Sequence, residues 1–522
     1  MNWIIFSSMD FRRSTVLCAL LLMLVTCCAC CSGQADGVED SSTQRPDPGV
    51  SDGNLECGMR RVFDLRIGES VQVEFQGRDP IEIELLQVQS EFDDKRGALR
   101  RSLVQVAVNG TALWIESGNY TLPISINGVQ LDCPVTADYY ANSNEDRWGL
   151  QRDARLRVWR DGCPLFCADD FYYPLPQQRW MENRTQAGNE PTDDYLPFMR
   201  SIYYHSGVDL GGVEALDTVA AATAGLVVLA HGEVLPGYEQ TPAQLEQHMG
   251  RDRIDVVYLL DDRGWFYRYS HLYGAFPEVR IGEQVVAGQP IGLLGKEGSS
   301  GGWSHLHFEI ICEQPSGLWG TEAAYAYLWE AYLEQHDPRL IAVARPHRYG
   351  VPGDLIELDG SRSRSMAGQI VEYRWHFHDG QIASGQRVSR VYDQPGFFTE
   401  LLQVRDDQGN TAFDPAVVQI VHRNHLPLYS YLHAAHYPSQ QVRAGESVVF
   451  KARLIGIGGG SEVWDFGDGS PLANTESDSS PVGGYAQIEH SYDAAGDYLV
   501  RVQRVNKRGE PSIVRLWVRV KP

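Results

Sequence analysis

Gly302-Trp303-Ser304-His305-Leu306-His307-Phe308-Glu309-Ile310 alternates as a β-strand does. His305, His307 and Glu309 fall on one face, Leu306, Phe308 and Ile310 on the other. The second face is apolar enough to pack a core. On the first, two imidazoles two residues apart can converge on one small site. Gly298-Ser299-Ser300-Gly301-Gly302 supplies the turn that feeds the strand. A His-x-His pair alone is weak evidence, because most histidines serve as surface or core residues.

Two other places give the pair weight. Tyr204-His205-Ser206-Gly207-Val208-Asp209-Leu210 holds a His and an Asp four apart with a glycine between them. Neutral imidazole and carboxylate both suit zinc, and hydrolytic zinc sites use three protein ligands while keeping a position for water. Gly207 lets the chain turn so that both side chains reach one ion. Between the two motifs lie Tyr267-Arg268-Tyr269-Ser270-His271-Leu272 and the stretch Val279 to Gly292, which reads as short strands separated by glycine turns.

The order His-x-Gly-x-Asp, Tyr-x-His-Leu, Val-x-Ala-Gly-Gln-x-Ile-Gly, His-Leu-His-Phe-Glu resembles the lysostaphin/LytM-type zinc metallopeptidases over residues 170–335. That resemblance implies an antiparallel β peptidase domain, duplicated-hybrid-motif-like. It implies Zn2+ as cofactor on His205, Asp209 and His307, with His271 and His305 as catalytic groups lining the site. One carboxylate and two neutral imidazoles leave the ion with a net charge of about +1, so its water is acidified and can attack a carbonyl. Donor forms of His271 and His305 suit the resulting oxyanion. Glu309 is expected to be a solvated strand residue, orientation of His307 being the alternative. The family implies an exported metalloendopeptidase acting on peptide cross-links of bacterial cell-wall peptidoglycan. A surface or secreted peptidase of another glycine-containing protein is the second reading. A non-catalytic binding or regulatory protein is the third, although such proteins usually lose ligands that this chain retains.

Other residues of this region take ordinary readings. His231 follows the apolar run Gly225–Ala230, and His248 sits in a polar insertion over 233–253 that would shape the substrate cleft. Tyr203 and Tyr204 are expected in the core. Residues 325–334 look helical and are expected to close the domain from outside.

The chain has 522 residues, 43% hydrophobic and 22% charged, with a net charge of −23. That length fits about three to five domains. The acidic balance, with no basic block, excludes nucleic acid as a partner. Residues 1–33 read as an export signal: Arg12 and Arg13, then the apolar run Val16–Val25, too short for a comfortable membrane span. Cys27-Cys28-Ala29-Cys30-Cys31 leaves two readings open, a plain secretory signal and a lipoprotein signal whose lipid would anchor the protein. Arg12-Arg13 is a weak twin-arginine signal, since Thr15 sits where an apolar residue is wanted. The expected location is periplasm, cell envelope or extracellular space. Residues 34–54 are a Ser/Asp/Pro/Gly linker.

Residues 55–165 alternate in short runs (71–75, 81–85, 104–108) divided by Asn109-Gly110 and Asn127-Gly128, the pattern of a β-sandwich. Cys57 and Cys133 bracket it and are expected to pair in an exported protein. Cys163 pairs with Cys167, or one of the two pairs with Cys312. From Ala342 onward Trp375-His376-Phe377-His378-Asp379-Gly380 and Trp464-Asp465-Phe466-Gly467-Asp468-Gly469 recur, each followed by a Tyr-x-x-x-Gly-x-aromatic element at Tyr392 and Tyr492. A repeat of about 90 residues in short strands has the size of an immunoglobulin-like sandwich. These repeats resemble PKD domains, over 342–422 and 428–522, which would act as spacers or bind a polymer or protein. The turn histidines 376 and 378 are assigned no site. The fold class is therefore mainly β and multidomain: a β-sandwich, the peptidase domain, and two Ig-like PKD sandwiches.

Overall fold

The structure is a computed structural model that describes residues 60–75, 77–166, 170–180, 182, 184–192, 202–239, 242, 253–422, 430–480 and 483–522. The predicted export signal, the linker, Cys57, Cys167 and His248, with most of its insertion, lie outside the described residues. Among the described residues no helix is long and apolar enough to cross a membrane.

Eight strands between Arg61 and Arg160 form two four-stranded sheets over one apolar core that includes Ile83, Val106, Leu131 and Val158. Both Asn-Gly pairs make the expected two-residue hairpins. Asn109 and Gly110 have φ of 48° and 76° and join Val108 to Thr111, while Asn127 and Gly128 have φ of 50° and 81° and join Ile126 to Val129. The expected Cys57–Cys133 bridge is not formed. Cys133 is a free buried thiol that bonds the Val135 carbonyl at 3.5 Å, and burial pushes its pKa up to about 12. Cys163 is disulfide-bonded and Cys312 is free and buried, so a bridge to Cys312 is excluded.

The next sheet is built around the strand His305–Glu313. Phe266–Ser270 pairs along one side; Val208–Gly211 and Trp319–Glu322 share the other. Leu306, Phe308 and Ile310 enter the core as the alternation predicts, beside Val208, Leu210, Tyr267 and Tyr269. The helix Tyr325–His336 is not an external cover. Tyr325, Ala326, Tyr327, Leu328, Trp329, Ala331 and Tyr332 are all buried in the same core. A helix that is apolar nearly all round has no face to give to solvent.

The last two modules each bury the repeat aromatics: Trp375, Phe377 and Tyr392 in one core, Trp464, Phe466 and Tyr492 in the other. They are not independent beads. Gly396–Asp406 of the first pairs in parallel with Pro511–Val520 of the second, Phe397 opposite Ser512, which makes one continuous sheet across both. His376 Nε2 lies 2.8 Å from Gln403 Oε1, and His378 Nδ1 2.6 Å from the buried Glu400. These contacts give both turn histidines a structural explanation.

Candidate functional site

Strand register brings the predicted residues together. Asp209 lies directly opposite His307, Ser270 opposite His307 on the other side, and Arg268 opposite Glu309. One face of three adjacent strands therefore carries Asp209, Arg268, Ser270, His305, His307 and Glu309. His205 arrives from the segment before Val208, which is held from behind: Asn189 N–H donates to the His205 carbonyl at 2.7 Å, and His205 N–H to the Glu190 carbonyl at 3.0 Å. Gly207 has no left-handed backbone. Its role is space, since a Cβ there would stand 2.5 Å from the Phe308 carbonyl oxygen and 3.0 Å from the His307 ring.

His205 Nε2, Asp209 Oδ1 and His307 Nδ1 converge on one point. The nitrogens are 3.0 Å apart, and each is 2.9 Å from the carboxylate oxygen. Zinc bonds to such ligands of about 2.0–2.1 Å put the edge of a regular tetrahedron at about 3.3 Å, so the donors fit with a shift of a few tenths. This trio is the one group of metal-holding geometry found among the described residues. All three are buried, yet Asp209 stays ionised: burial works against its charge, but the adjacent His205 and the hydrogen bonds from His205 and His307 hold its pKa well below the ordinary carboxylate range.

His305 and His271 stand beside this trio, ring centroids 4.6 Å apart. His305 Nε2 is 3.4 Å from Asp209 Oδ2. Each ring uses Nδ1 on a backbone carbonyl, His305 on Trp303 O at 3.1 Å and His271 on Glu297 O at 2.7 Å. A carbonyl only accepts, so both Nδ1 atoms carry hydrogen and both Nε2 atoms of the neutral rings are bare. Burial keeps both neutral, lowering the pKa of each. The two therefore enter the site as acceptors, not in the donor form that the sequence favoured. His271 also sits at φ 70°, a left-handed backbone rare for a non-glycine residue and of a kind that gathers at functional sites. Its N–H donates to Asp255 Oδ2 at 3.2 Å.

Glu309 is not solvated. It is 2% exposed, takes the Thr321 hydroxyl on Oε1, and faces Arg268 Nη1 at 3.2 Å and His307 Nε2 at 3.6 Å on Oε2. Arg268, Asp255 and Thr321 were not singled out in the sequence. For Arg268 a signal existed: it alternates with Tyr267 and Tyr269, and a charged residue on the inner face of such a strand requires a partner. Two large cavities, of about 400 and 490 Å3, lie between modules, and none of the five predicted site residues lines them.

Residues 203–316 match the family model described as Peptidase family M23. The chain carries an M23 peptidase domain. Residues 338–420 and 433–513 match PKD domain models, so the M23 domain is followed by two PKD domains. Among solved structures, lysostaphin from Staphylococcus simulans is similar at 14% identity and a TM-score of 0.22, covering 68% of this chain and 92% of that one. The PKD1 domain of the Vibrio cholerae metalloprotease PrtV is similar at 22% identity and a TM-score of 0.15, covering 16% of this chain and 100% of that one. The M23 match supports a peptidase, and the His/Asp trio gives that peptidase a place for a metal.

Proposed function

We propose that this chain is an exported zinc metalloendopeptidase that hydrolyses peptide cross-links of bacterial cell-wall peptidoglycan. The observation that carries the chemistry is the convergence of His205 Nε2, Asp209 Oδ1 and His307 Nδ1 within 3.0 Å of one another, beside two bare imidazole nitrogens. Bound zinc supplies Lewis acidity, polarising a peptide carbonyl and making water a nucleophile near neutral pH. His305 Nε2 and His271 Nε2 are placed to take up the proton that water loses. Once protonated, the same nitrogen becomes a donor, able to stabilise the oxyanion and then return the proton to the leaving amine. The Trp303 and Glu297 carbonyls hold the two rings by Nδ1 while that proton moves.

Export and a surface or extracellular location are supported by the Arg12–Val25 signal pattern and by the PKD modules, which are common in exported enzymes. The peptidoglycan substrate is supported by the likeness of the motifs to the lysostaphin/LytM type. Incubation of purified muropeptides with the full zinc-loaded chain, followed by mass spectrometry, tests both chemistry and substrate. Peptide-bond cleavage lost on chelation is the expected result. Intact muropeptides beside cleavage of glycine-containing proteins would move the substrate to that second class.

A further inference from the structure

Trp303 belongs to two places at once. Its indole stacks on the His305 imidazole, ring centroids 3.9 Å apart and planes 18° apart, and its carbonyl takes the His305 Nδ1 proton. Yet Trp303 is buried and belongs to the apolar cluster that holds the core of the second PKD module, Tyr431, Phe450, Leu454 and Trp464 included. His433 of that module sits 5.3 Å from the indole.

The loop around Trp303 is tied to the same module at three main-chain groups. Tyr431 donates to the Gly301 carbonyl at 2.7 Å, and Arg453 donates to the Gly302 carbonyl. Ser304 N–H donates to the Tyr485 hydroxyl at 2.8 Å, and that hydroxyl is hydrogen-bonded to His433 Nδ1 at 2.7 Å. Gly301 and Gly302 have φ of 66° and 87°, and a Cβ on Gly302 would meet Arg453 Nη1 at 3.2 Å and Ile455 at 3.4 Å. The glycine run that turns into the strand is therefore also what lets the PKD module approach.

We propose that Trp303 is a positioning residue for His305, and that the second PKD module, by burying Trp303, is a working part of the peptidase site and not a spacer. The inference rests on the proposed role of His305 as proton carrier. A hydrogen bond at Nδ1 fixes one corner of an imidazole but leaves its plane free to turn. The stacked indole fixes the plane, and with it the direction of Nε2 toward the site. A reacting group held about 1 Å out of place can cost two orders of magnitude in rate.

The test uses the full zinc-loaded chain and three variants: Trp303→Leu, Trp303→Phe, and the pair Arg453→Met with Tyr485→Phe, which alters no peptidase residue. Zinc content, kcat and KM on a peptide substrate are measured, with the His305 ring proton shift from labelled histidine. Trp303→Leu is expected to lower kcat on the order of 10- to 100-fold with KM and zinc unchanged. Trp303→Phe restores most of it. The PKD-side pair lowers kcat in the same direction and moves the His305 resonance as the ring current weakens. Parental kcat in Trp303→Leu, loss of zinc along with kcat, or a His305 resonance indifferent to the PKD-side pair overturns the inference. A parent chain that cleaves no peptide overturns the peptidase reading and this inference with it. An active parent beside an indifferent Trp303→Leu overturns this inference alone.

Discussion

His205 Nε2 and His307 Nδ1 face each other at 3.0 Å in the protein interior, both 2.9 Å from Asp209 Oδ1. Removing one member leaves two donors, too few to hold zinc against water. Asp209→Ala and His307→Ala are each expected to lose stoichiometric zinc and peptide hydrolysis together. Metal analysis of the purified variants beside a hydrolysis assay checks both. Hydrolysis surviving in a zinc-free variant would refute the assignment.

His271→Ala is a different case, because Nδ1 of that ring is engaged by Glu297 O and its Nε2 is not part of the trio. Zinc content should match the parent, while kcat falls on the order of 10²- to 10⁴-fold, the usual worth of a positioned proton carrier. Pre-steady-state and steady-state kinetics on zinc-matched samples give the comparison.

What the sequence made legible was local. The alternation of residues 302–310 put His305 and His307 on one face, and the structure keeps them there; both Asn-Gly hairpins and the PKD aromatics were equally readable. Glu309 was misread because its partner Arg268 is on a neighbouring strand, and register between strands is not written in either one alone. The helix Tyr325–His336 could have been placed correctly, since Tyr-Ala-Tyr-Leu-Trp-Glu-Ala-Tyr carries a single polar residue in its first eight. Trp303 could not. Its ring contact with His433 lies more than a hundred positions along the chain, in a module that the PKD resemblance reads as a spacer or a polymer- or protein-binding unit.

Glu309→Gln separates a solvated residue from one that tunes the site. With a metal on Nδ1, the His307 proton sits on Nε2, and the Glu309 carboxylate, 3.6 Å away, supplies the negative charge that proton faces; Arg268, 3.1 Å from that nitrogen, can only donate. Loss of the carboxylate charge is expected to weaken zinc binding about 10- to 100-fold, as for other carboxylates behind a ligating histidine. Competition titration with a zinc chelator measures it, and an unchanged affinity would return Glu309 to a purely structural role.

Gly207→Ala probes space alone. The added methyl would meet the Phe308 carbonyl, which is main chain in the central sheet, and the His307 ring. The carbonyl contact forces a main-chain shift and the ring contact displaces a ligand, so the variant should lose about 1–3 kcal/mol of stability or more and also bind zinc more weakly. Thermal unfolding with and without added zinc distinguishes the two losses.

The contact between the second PKD module and the peptidase strand should be sensitive to acid through His433. Burial, then the Arg184 and Arg453 guanidinium groups, push its pKa down to about 3, and its Nδ1 is hydrogen-bonded to the Tyr485 hydroxyl. Unfolded, the same imidazole titrates near 6.5. Between those values the unfolded chain binds a proton that the folded one refuses, so this contribution to stability is complete above pH 6.5. It is lost toward pH 3 at about 1.4 kcal/mol per pH unit. Replacement by glutamine, which keeps a hydrogen-bond acceptor without titrating, is expected to flatten that part of the stability profile. Denaturant unfolding of the parent and His433→Gln across pH 4 to 7 reads the difference in slope. Parallel curves would show that His433 contributes no titration to the interface.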